Sequence, residues 1–472
     1  MKTPRLTALI MVAVIMLSLT VIPAGAQYFT DVSIGHWARE SINYAADNGY
    51  IDHKDKFAFD PTGVLTRADV AEIIYRFEGS PDVEAATHFA DVAVSSGITN
   101  PVSWVYKNGI MIGTSKNTFE PSRGITRQDL AVVFFRYGSF TKSKKQNVMS
   151  KRADISDFPD ASSVKDYAVE AVSWAVAVKL ITGEVGGIIA PSKSVVRQTG
   201  AEMLKRFGIY VEGINFNRDI YGFTADEIKN DTYHITTNHL SALYAHLKLT
   251  GELNDVYEDD GLSVKERIEA DISGKRADSS FGMALSVILN KVGKLDLTRH
   301  FGDGADNIRD IDTFTRGSEL ESAISFYDLS RHATSVRDLR LTTKCLSADS
   351  EWTAMIDSLP VIIDENGLIL FTYGYMSEGK LKCHTVVMYD YEAVATSSYT
   401  FYVYDPDSLT VSTLTAELKT DGGKAAYDLR HGDRLIVEAD RLCDFANIYN
   451  KYCIYDLDSY YNDFDAGTSE AN

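Results

Sequence analysis

Cysteine is scarce in this 472-residue chain: Cys345, Cys383, Cys443 and Cys453, all in the second half. No disulfide framework can therefore hold the first half together. Four cysteines leave three pairings open. The short Cys443–Cys453 spacing favours one of them, and reduced buried thiols are an equal alternative. Positive charge is also short, with 47 Lys and Arg against 66 Asp and Glu and a formal net charge of -19. Such a surface argues against nucleic acid as a partner. Beyond residue 26 no run approaches the roughly 20 apolar residues that span a bilayer. From Ile454 onward there is no Lys or Arg. Asp456, Asp458, Asp463, Asp465 and Glu470 there match no calcium-loop spacing, so residues 456–472 read as a disordered acidic tail. The sequence assigns no metal site and no cofactor.

The chain opens with Lys2 and Arg5, an apolar run from Leu6 to Ile22, and Ala24-Gly25-Ala26. This pattern predicts a secretory signal peptide over residues 1–26. Its removal near Gln27 would take away two positive residues and leave a formal charge of -21. Hydrophobic content of 45 % excludes wholesale disorder, and the length predicts two or three folding units.

One phrase occurs three times: Leu65-Thr66-Arg67-Ala68-Asp69, Ile125-Thr126-Arg127-Gln128-Asp129 and Val195-Val196-Arg197-Gln198-Thr199. Each copy follows a proline (Pro61, Pro121, Pro191) and precedes an apolar helical run that ends on an aromatic residue. Repetition on this scale marks a repeat module. Within copy one, Phe29-Thr30-Asp31 and His36-Trp37-Ala38 lead into a helix that stops at Asn48-Gly49. Thr66 and Asp69 then form a capping box for a second helix, whose stripe is Val70, Ile73, Ile74 and Phe77. Copy two repeats the plan with Phe89-Ala90-Asp91, Trp104 and Asn108-Gly109, but has Gly97 near the Trp37 position. Copy three has Phe158-Pro159-Asp160, Tyr167 and Trp174, and its cap residues are replaced by Val196 and Thr199.

These motifs, in this order, resemble the S-layer homology (SLH) domain over about residues 28–211. The resemblance implies an all-α three-repeat module: repeat 1 at 27–80, repeat 2 at 87–140, a solvated basic linker at 141–153 and repeat 3 at 154–211. It also implies grooves that bind the secondary polysaccharide of a Gram-positive cell wall, a polymer that often carries pyruvyl carboxylates. Arg67, Arg127 and Arg197 match the family's ligand-contacting arginine. A guanidinium fork suits a carboxylate, and a helix start adds free N–H groups. The alternative is that each arginine pairs with a nearby acid. Trp37, Trp104 and Trp174 read as core, with Trp37 and Trp104 also candidates to cover a sugar face. Having lost both cap residues, the Arg197 groove is expected to be the weakest.

From about Asn215 the repeat ends. Helices are expected at 238–249, 264–273 and 281–292, and strands at 367–375, 381–391, 399–405 and 434–439. Helices followed by strands predict an α+β domain over 215–455 with an antiparallel sheet. Ser279-Ser280-Phe281-Gly282-Met283 at a helix start, His384-Thr385-Val386-Val387 on a strand and Tyr404-Asp405-Pro406 at a strand end resemble the papain-like cysteine peptidases. Carried over, Ser280 takes the nucleophile position, His384 the base and Asp405 the residue that orients the base. The family's thiolate is here a hydroxyl, which the same surroundings cannot ionise near neutrality. No glutamine precedes Ser280 to supply an oxyanion donor. Cys383 is a poor substitute, because it faces away from His384 on the strand. In the purely structural alternative Ser280 is a helix cap, His384 a hydrogen-bonded buried side chain and Asp405 a turn residue.

The sequence thus predicts a secreted cell-wall or S-layer surface protein. Its SLH repeats anchor it to wall polysaccharide, and it displays a papain-like domain that has lost catalysis. The rival is a wall-anchored hydrolase using Ser280, His384 and Asp405.

Overall fold

The computed structural model describes residues 29–444, except 34, 53, 56, 85–88, 95, 143, 229–232, 258–259, 275–278, 303–304, 306, 338–339, 345–349, 396–397 and 422–423. The expected signal peptide, the acidic tail, Cys345 and Cys453 lie outside the described residues.

Each repeat contributes one short and one longer helix. They are α1 (Arg39–Asp47) and α2 (Arg67–Phe77), α3 (Thr99–Lys107) and α4 (Arg127–Phe140), and α5 (Val169–Ala177) and α6 (Arg197–Arg206). Thr66 and Asp69 form the expected capping box, and Thr126 Oγ1 accepts from Asp129 N–H. Val196 offers no side-chain cap, yet its φ, ψ of -94°, 159° match the -88°, 167° of Thr66. The backbone is therefore ready for a hydroxyl. Val196→Thr is expected to raise stability by about 1 kcal/mol in chemical denaturation. Thr199 N–H now donates to Val196 O at 2.9 Å, and an unchanged midpoint would mean that this bond already serves in place of the cap.

The short helix of each copy packs on the long helix of the copy before it: α3 on α2, α5 on α4 and, closing the ring, α1 on α6. At the centre the backbone bonds run in a cycle. Ile125 N–H donates to Leu65 O, Val195 N–H to Ile125 O and Leu65 N–H to Val195 O, each at 2.9 Å. The module is thus not purely helical, because single-residue β-bridges such as Thr66–Gly124 and Thr126–Ser194 stitch the copies together. The aromatic residues of the long helices meet on the same axis. Phe77, Tyr137 and Phe207 stand 5.3–6.0 Å apart, ring centroid to ring centroid.

The basic stretch after α4 is not a solvated linker. Thr141 and Lys145 are buried. Lys145 Nζ donates to Gly367 O at 2.8 Å, Gln146 N–H donates to Asp390 at 2.6 Å, and Lys151 pairs with Asp364 at 2.6 Å. The run clasps the second domain. Burial pulls Lys145 down to about 7 from an ordinary 10.5. Between those values the unfolded chain binds more protons than the folded one, so stability rises with pH from about 7 upward; below 7 the cost of burying the charge is fully present. Urea midpoints taken below, within and above that window are expected to climb for the native chain. Lys145→Met is expected to flatten the climb, and an unchanged slope in that variant would contradict the assignment.

After α6 the chain makes a wide helical turn over Phe207–Glu212 and leaves it at Gly213, whose φ is 77°. A Cβ there would lie 2.8 Å from the Tyr389 ring, so glycine is required by conformation and by space. The second domain begins with helices α7 (Thr237–Leu249), α8 (Val264–Ser273), α9 (Ser280–Lys291) and α10 (Glu319–Leu329). The first three follow the expected spans to within a residue. Gly282 lets α9 and α10 touch, since a Cβ would sit 2.4 Å from Ile324 O.

Seven strands follow: β1 (Arg340–Lys344), β2 (Ile369–Ser377), β3 (Lys380–Ala395), β4 (Ser398–Tyr404), β5 (Ser412–Asp421), β6 (Lys424–His431) and β7 (Arg434–Asp444). All pair antiparallel, in the order β1-β7-β2-β3-β4-β5-β6. A further β6–β7 pairing closes β2 to β7 into a barrel. Alternation divides the side chains. Phe371, Tyr373, Val386 and Met388 enter the barrel core with Trp352 and Ile356 of a long helix, α11 (Ser350–Asn366). Leu370, Val387 and Tyr389 face the helical layer. The chain is therefore multidomain: a ring of three repeats and an α+β unit ending in an antiparallel β-barrel.

Candidate functional site

The three repeat arginines do not reach for nearby acids first. Their main partners are backbone carbonyls of the next copy. Arg67 Nε donates to Phe119 O and its Nη2 to Ile112 O, both at 2.7 Å. Arg127 Nε donates to Ile189 O at 2.8 Å, and Arg197 Nε to Phe59 O at 2.8 Å. Arg197 also reaches Asp52 O. The Arg67 and Arg197 guanidiniums lie 4.6 Å from the centroids of the Phe119 and Phe59 rings. The aspartate of each Phe-x-Asp opening holds the same loop from its other side. Asp31, Asp91 and Asp160 each accept two backbone N–H bonds from it. Each loop turns at a residue with positive φ: Asp60, Glu120 or Ala190. Arginine and aspartate thus form a clamp that joins successive copies.

What remains open lies beside the clamps. A groove of about 680 Å³ is lined by Trp37, Arg127, Glu184, Lys193, Glu202 and Arg206. It draws on all three copies. Trp37 is 62 % exposed, so it is a surface residue of the groove and not core. Trp104 and Trp174 are core. Trp104 packs edge-on to Tyr75 and Phe140, and the Trp174 indole N–H donates to Val148 O. Glu184 pairs with Lys193 at 2.6 Å and lies 3.4 Å from Arg127.

The ring's symmetry relates this groove to two others. Beside Arg67, the Lys193 position holds Arg123, and the Trp37 position holds exposed Tyr167, whose hydroxyl donates to Asp129 at 2.7 Å. Beside Arg197, these positions hold Gly63 and Gly97, and the surrounding charges are the acids Asp31, Asp52, Asp60 and Asp69, with Lys54 paired to Asp60 at 2.8 Å. Sequence reading missed Lys193 and Arg206 as groove cations. Lys193 falls in a loop before the repeat phrase, and Arg206 reaches the groove from the end of α6, where it bonds Glu202 and Thr182.

The second cluster sits at the mouth of the barrel. The structure brings Ser280, His384 and Asp405 to one place. Ser280 is the first residue of α9, and its Oγ accepts from Thr385 N–H of β3 at 2.9 Å. The hydroxyl therefore faces the sheet, and Ser279 holds the N-cap position. Next along β3, His384 Nε2 meets Asp405 Oδ1 at 2.7 Å. Asp407 N–H donates to the same oxygen at 2.9 Å. All three side chains are buried, whereas Cys383, on the opposite face of the strand, is exposed. Burial acts to raise the Asp405 carboxyl, but the His384 hydrogen bond and charge outweigh it and hold it at about 2. Two further residues join the cluster. His431 Nε2 lies 3.4 Å from Asp405 Oδ2, and Tyr373 Oη lies 2.5 Å from His431 Nδ1. Burial pushes His431 down to about 4, so it is neutral at pH 7. Residues 275–278, before Ser280, lie outside the described residues.

The S-layer homology domain model matches residues 28–71, 88–131 and 157–198. The chain carries three SLH domains. Among curated proteins it is 24 % identical over 295 residues to an S-layer protein of Bacillus thuringiensis subsp. finitimus, covering 59 % of this chain and 33 % of that one. It is 28 % identical over 192 residues to the S-layer protein sap of Bacillus anthracis, covering 40 % and 22 %. To an amylopullulanase of Thermoanaerobacterium thermosulfurigenes it is 26 % identical over 177 residues, covering 37 % and 9 %. The chain thus spans a third or less of the length of these relatives.

Proposed function

We propose that the SLH ring holds this protein at a bacterial cell surface by binding wall polysaccharide, and that the second domain is displayed there in a binding or structural role. The observation that carries the reading is the groove of Trp37, Arg127, Lys193 and Arg206. An exposed indole suits the apolar face of a sugar ring. Three cations against the carboxylates of Glu184 and Glu202 suit an anionic substituent such as a pyruvyl carboxylate. An incoming carboxylate would replace Glu184 beside Arg127 and Lys193. The Arg67 groove, with Arg123 and Tyr167, offers the same chemistry. The Arg197 groove has glycines at the Trp37 and Lys193 positions, its nearby Lys54 is already paired with Asp60, and it is acid-rich, so it contributes least.

The test is co-sedimentation of the full chain with purified Gram-positive walls, before and after the polysaccharide is stripped. Binding that disappears on stripping supports the proposal. Binding that survives it, or that never occurs, overturns it.

One observation favours a second reading, a wall-anchored hydrolase on a papain-like scaffold. Ser280 at a helix start is bonded next to His384, which is bonded to Asp405. A hydroxyl has to lose its proton to a base during attack, and the imidazole is the available base. A fluorophosphonate probe decides between the two. Labelling at Ser280 that His384→Ala abolishes supports the hydrolase. No labelling of the folded chain supports the catalytically silent domain.

A further inference from the structure

We propose that the barrel mouth binds one divalent transition-metal ion, of zinc-like preference, through His384, Asp405 and His431. Each residue offers one ligand atom, these atoms all lie within 4.8 Å of one another, and all three residues are buried. Donor atoms about 2.0–2.2 Å from a common ion stand roughly 3–3.5 Å apart. The contacts at 2.7 and 3.4 Å lie close to that spacing, and side-chain rotations would bring the remaining pair, within 4.8 Å, to it. Two imidazole nitrogens and one carboxylate form a donor set for Zn²⁺, Co²⁺ or Fe²⁺ rather than for calcium or magnesium.

The surroundings orient the ligands. Both Nε2 atoms face Asp405, and each ring's other nitrogen has an oxygen beside it. His431 Nδ1 is held by Tyr373 Oη, and His384 Nδ1 lies 4.0 Å from Asp407 Oδ2. In the metal-bound form each Nδ1–H points to that oxygen and leaves the Nε2 lone pair for the ion. The Asp407 N–H fixes the Asp405 carboxylate. The ligands come from three separate pieces of the barrel: β3, the end of β4 and the end of β6. An ion there would tie those ends together. The site stands apart from the wall-binding reading, but an ion on His384 Nε2 with Nδ1 protonated leaves no base for Ser280, so metal binding and the hydrolase reading exclude each other.

The test uses the full chain, freed of metal with a chelator and titrated with Co²⁺ and then Zn²⁺. The expected result is one equivalent bound, with visible absorption bands of a nitrogen- and oxygen-ligated cobalt, displaced by Zn²⁺. His431→Gln is expected to abolish the bands, and Tyr373→Phe to weaken binding by roughly 10- to 100-fold. Bands that persist in His431→Gln, a thiolate charge-transfer band that places the ion on Cys383, or no binding at one equivalent would overturn the proposal. Should both variants misfold, X-ray absorption on the native zinc form decides. Two imidazoles in the first shell support the site, and sulfur scattering or a water-only shell refutes it.

Discussion

Replacing Arg67 by alanine is expected to cost the ring about 3–6 kcal/mol, from two charge-assisted hydrogen bonds at about 1.5–3 kcal/mol each. The loss has two parts. Phe119 O and Ile112 O lose their Arg67 donors, and the cation over the Phe119 ring is gone. At roughly 2–4 °C per kcal/mol for a unit of this size, thermal unfolding should fall by about 6 °C or more. Arg67→Lys is expected to recover less than half, because one ammonium cannot bridge two carbonyls while lying flat on a ring. Denaturant titration of the full chain checks this. A loss below about 1 kcal/mol together with loss of wall binding would reverse the assignment and make the arginine a ligand contact first.

The second large effect is expected at the seam between the two domains. Lys291, on α9, is buried and bonds Glu212 at 3.1 Å and Asp219 at 2.6 Å. Arg218 completes the group. It pairs with both acids, donates to Phe77 O in repeat 1, and stacks over the Phe77 ring. Two acids and two bases balance. Lys291→Met leaves one buried carboxylate uncompensated, which costs about 3–5 kcal/mol. Because the cluster joins α9 to the ring, the variant is also expected to split one unfolding transition into two. A single transition shifted by less than about 1 kcal/mol would mean that the seam is weakly coupled.

Much of the ring was legible in the sequence, because a repeated phrase survives drift elsewhere. The Thr66–Asp69 box, the helix stop at Asn48-Gly49 and the lost cap at Val196 are local chemistry. The targets of the arginines were not legible, since a backbone carbonyl of the next copy leaves no mark in the sequence. Trp37 read as core because an aromatic beside a helix start usually is. Only the ring closure of α1 on α6 leaves it facing outward. Lys145 looked solvated among its basic neighbours, and its partner Gly367 lies more than 200 residues away, as does Asp390, the partner of Gln146.

In the second half the clearly apolar strands were readable and the polar ones were not. Strands β5 and β6 alternate inward Leu414, Ala416, Tyr427 and Leu429 with charged residues, a period-two signal thinned by Thr, Lys and Asp. Helix α11, with Pro360 in its interior, was missed as well. His431 looked like part of the turn into Gly432-Asp433. Its role depends on the closure of β6 against β7, which no local pattern announces.

The account stands most directly on the exposed groove. Calorimetric titration of purified wall polysaccharide into the full chain should show saturable binding. The double variant Trp37→Ala/Lys193→Ala, with an unchanged melting temperature, should bind at least about tenfold more weakly, a loss of about 1.4 kcal/mol. Lys54→Ala, beside the Arg197 groove, should bind like the native chain. Native-like affinity in the double variant, or loss confined to Lys54→Ala, would contradict the account.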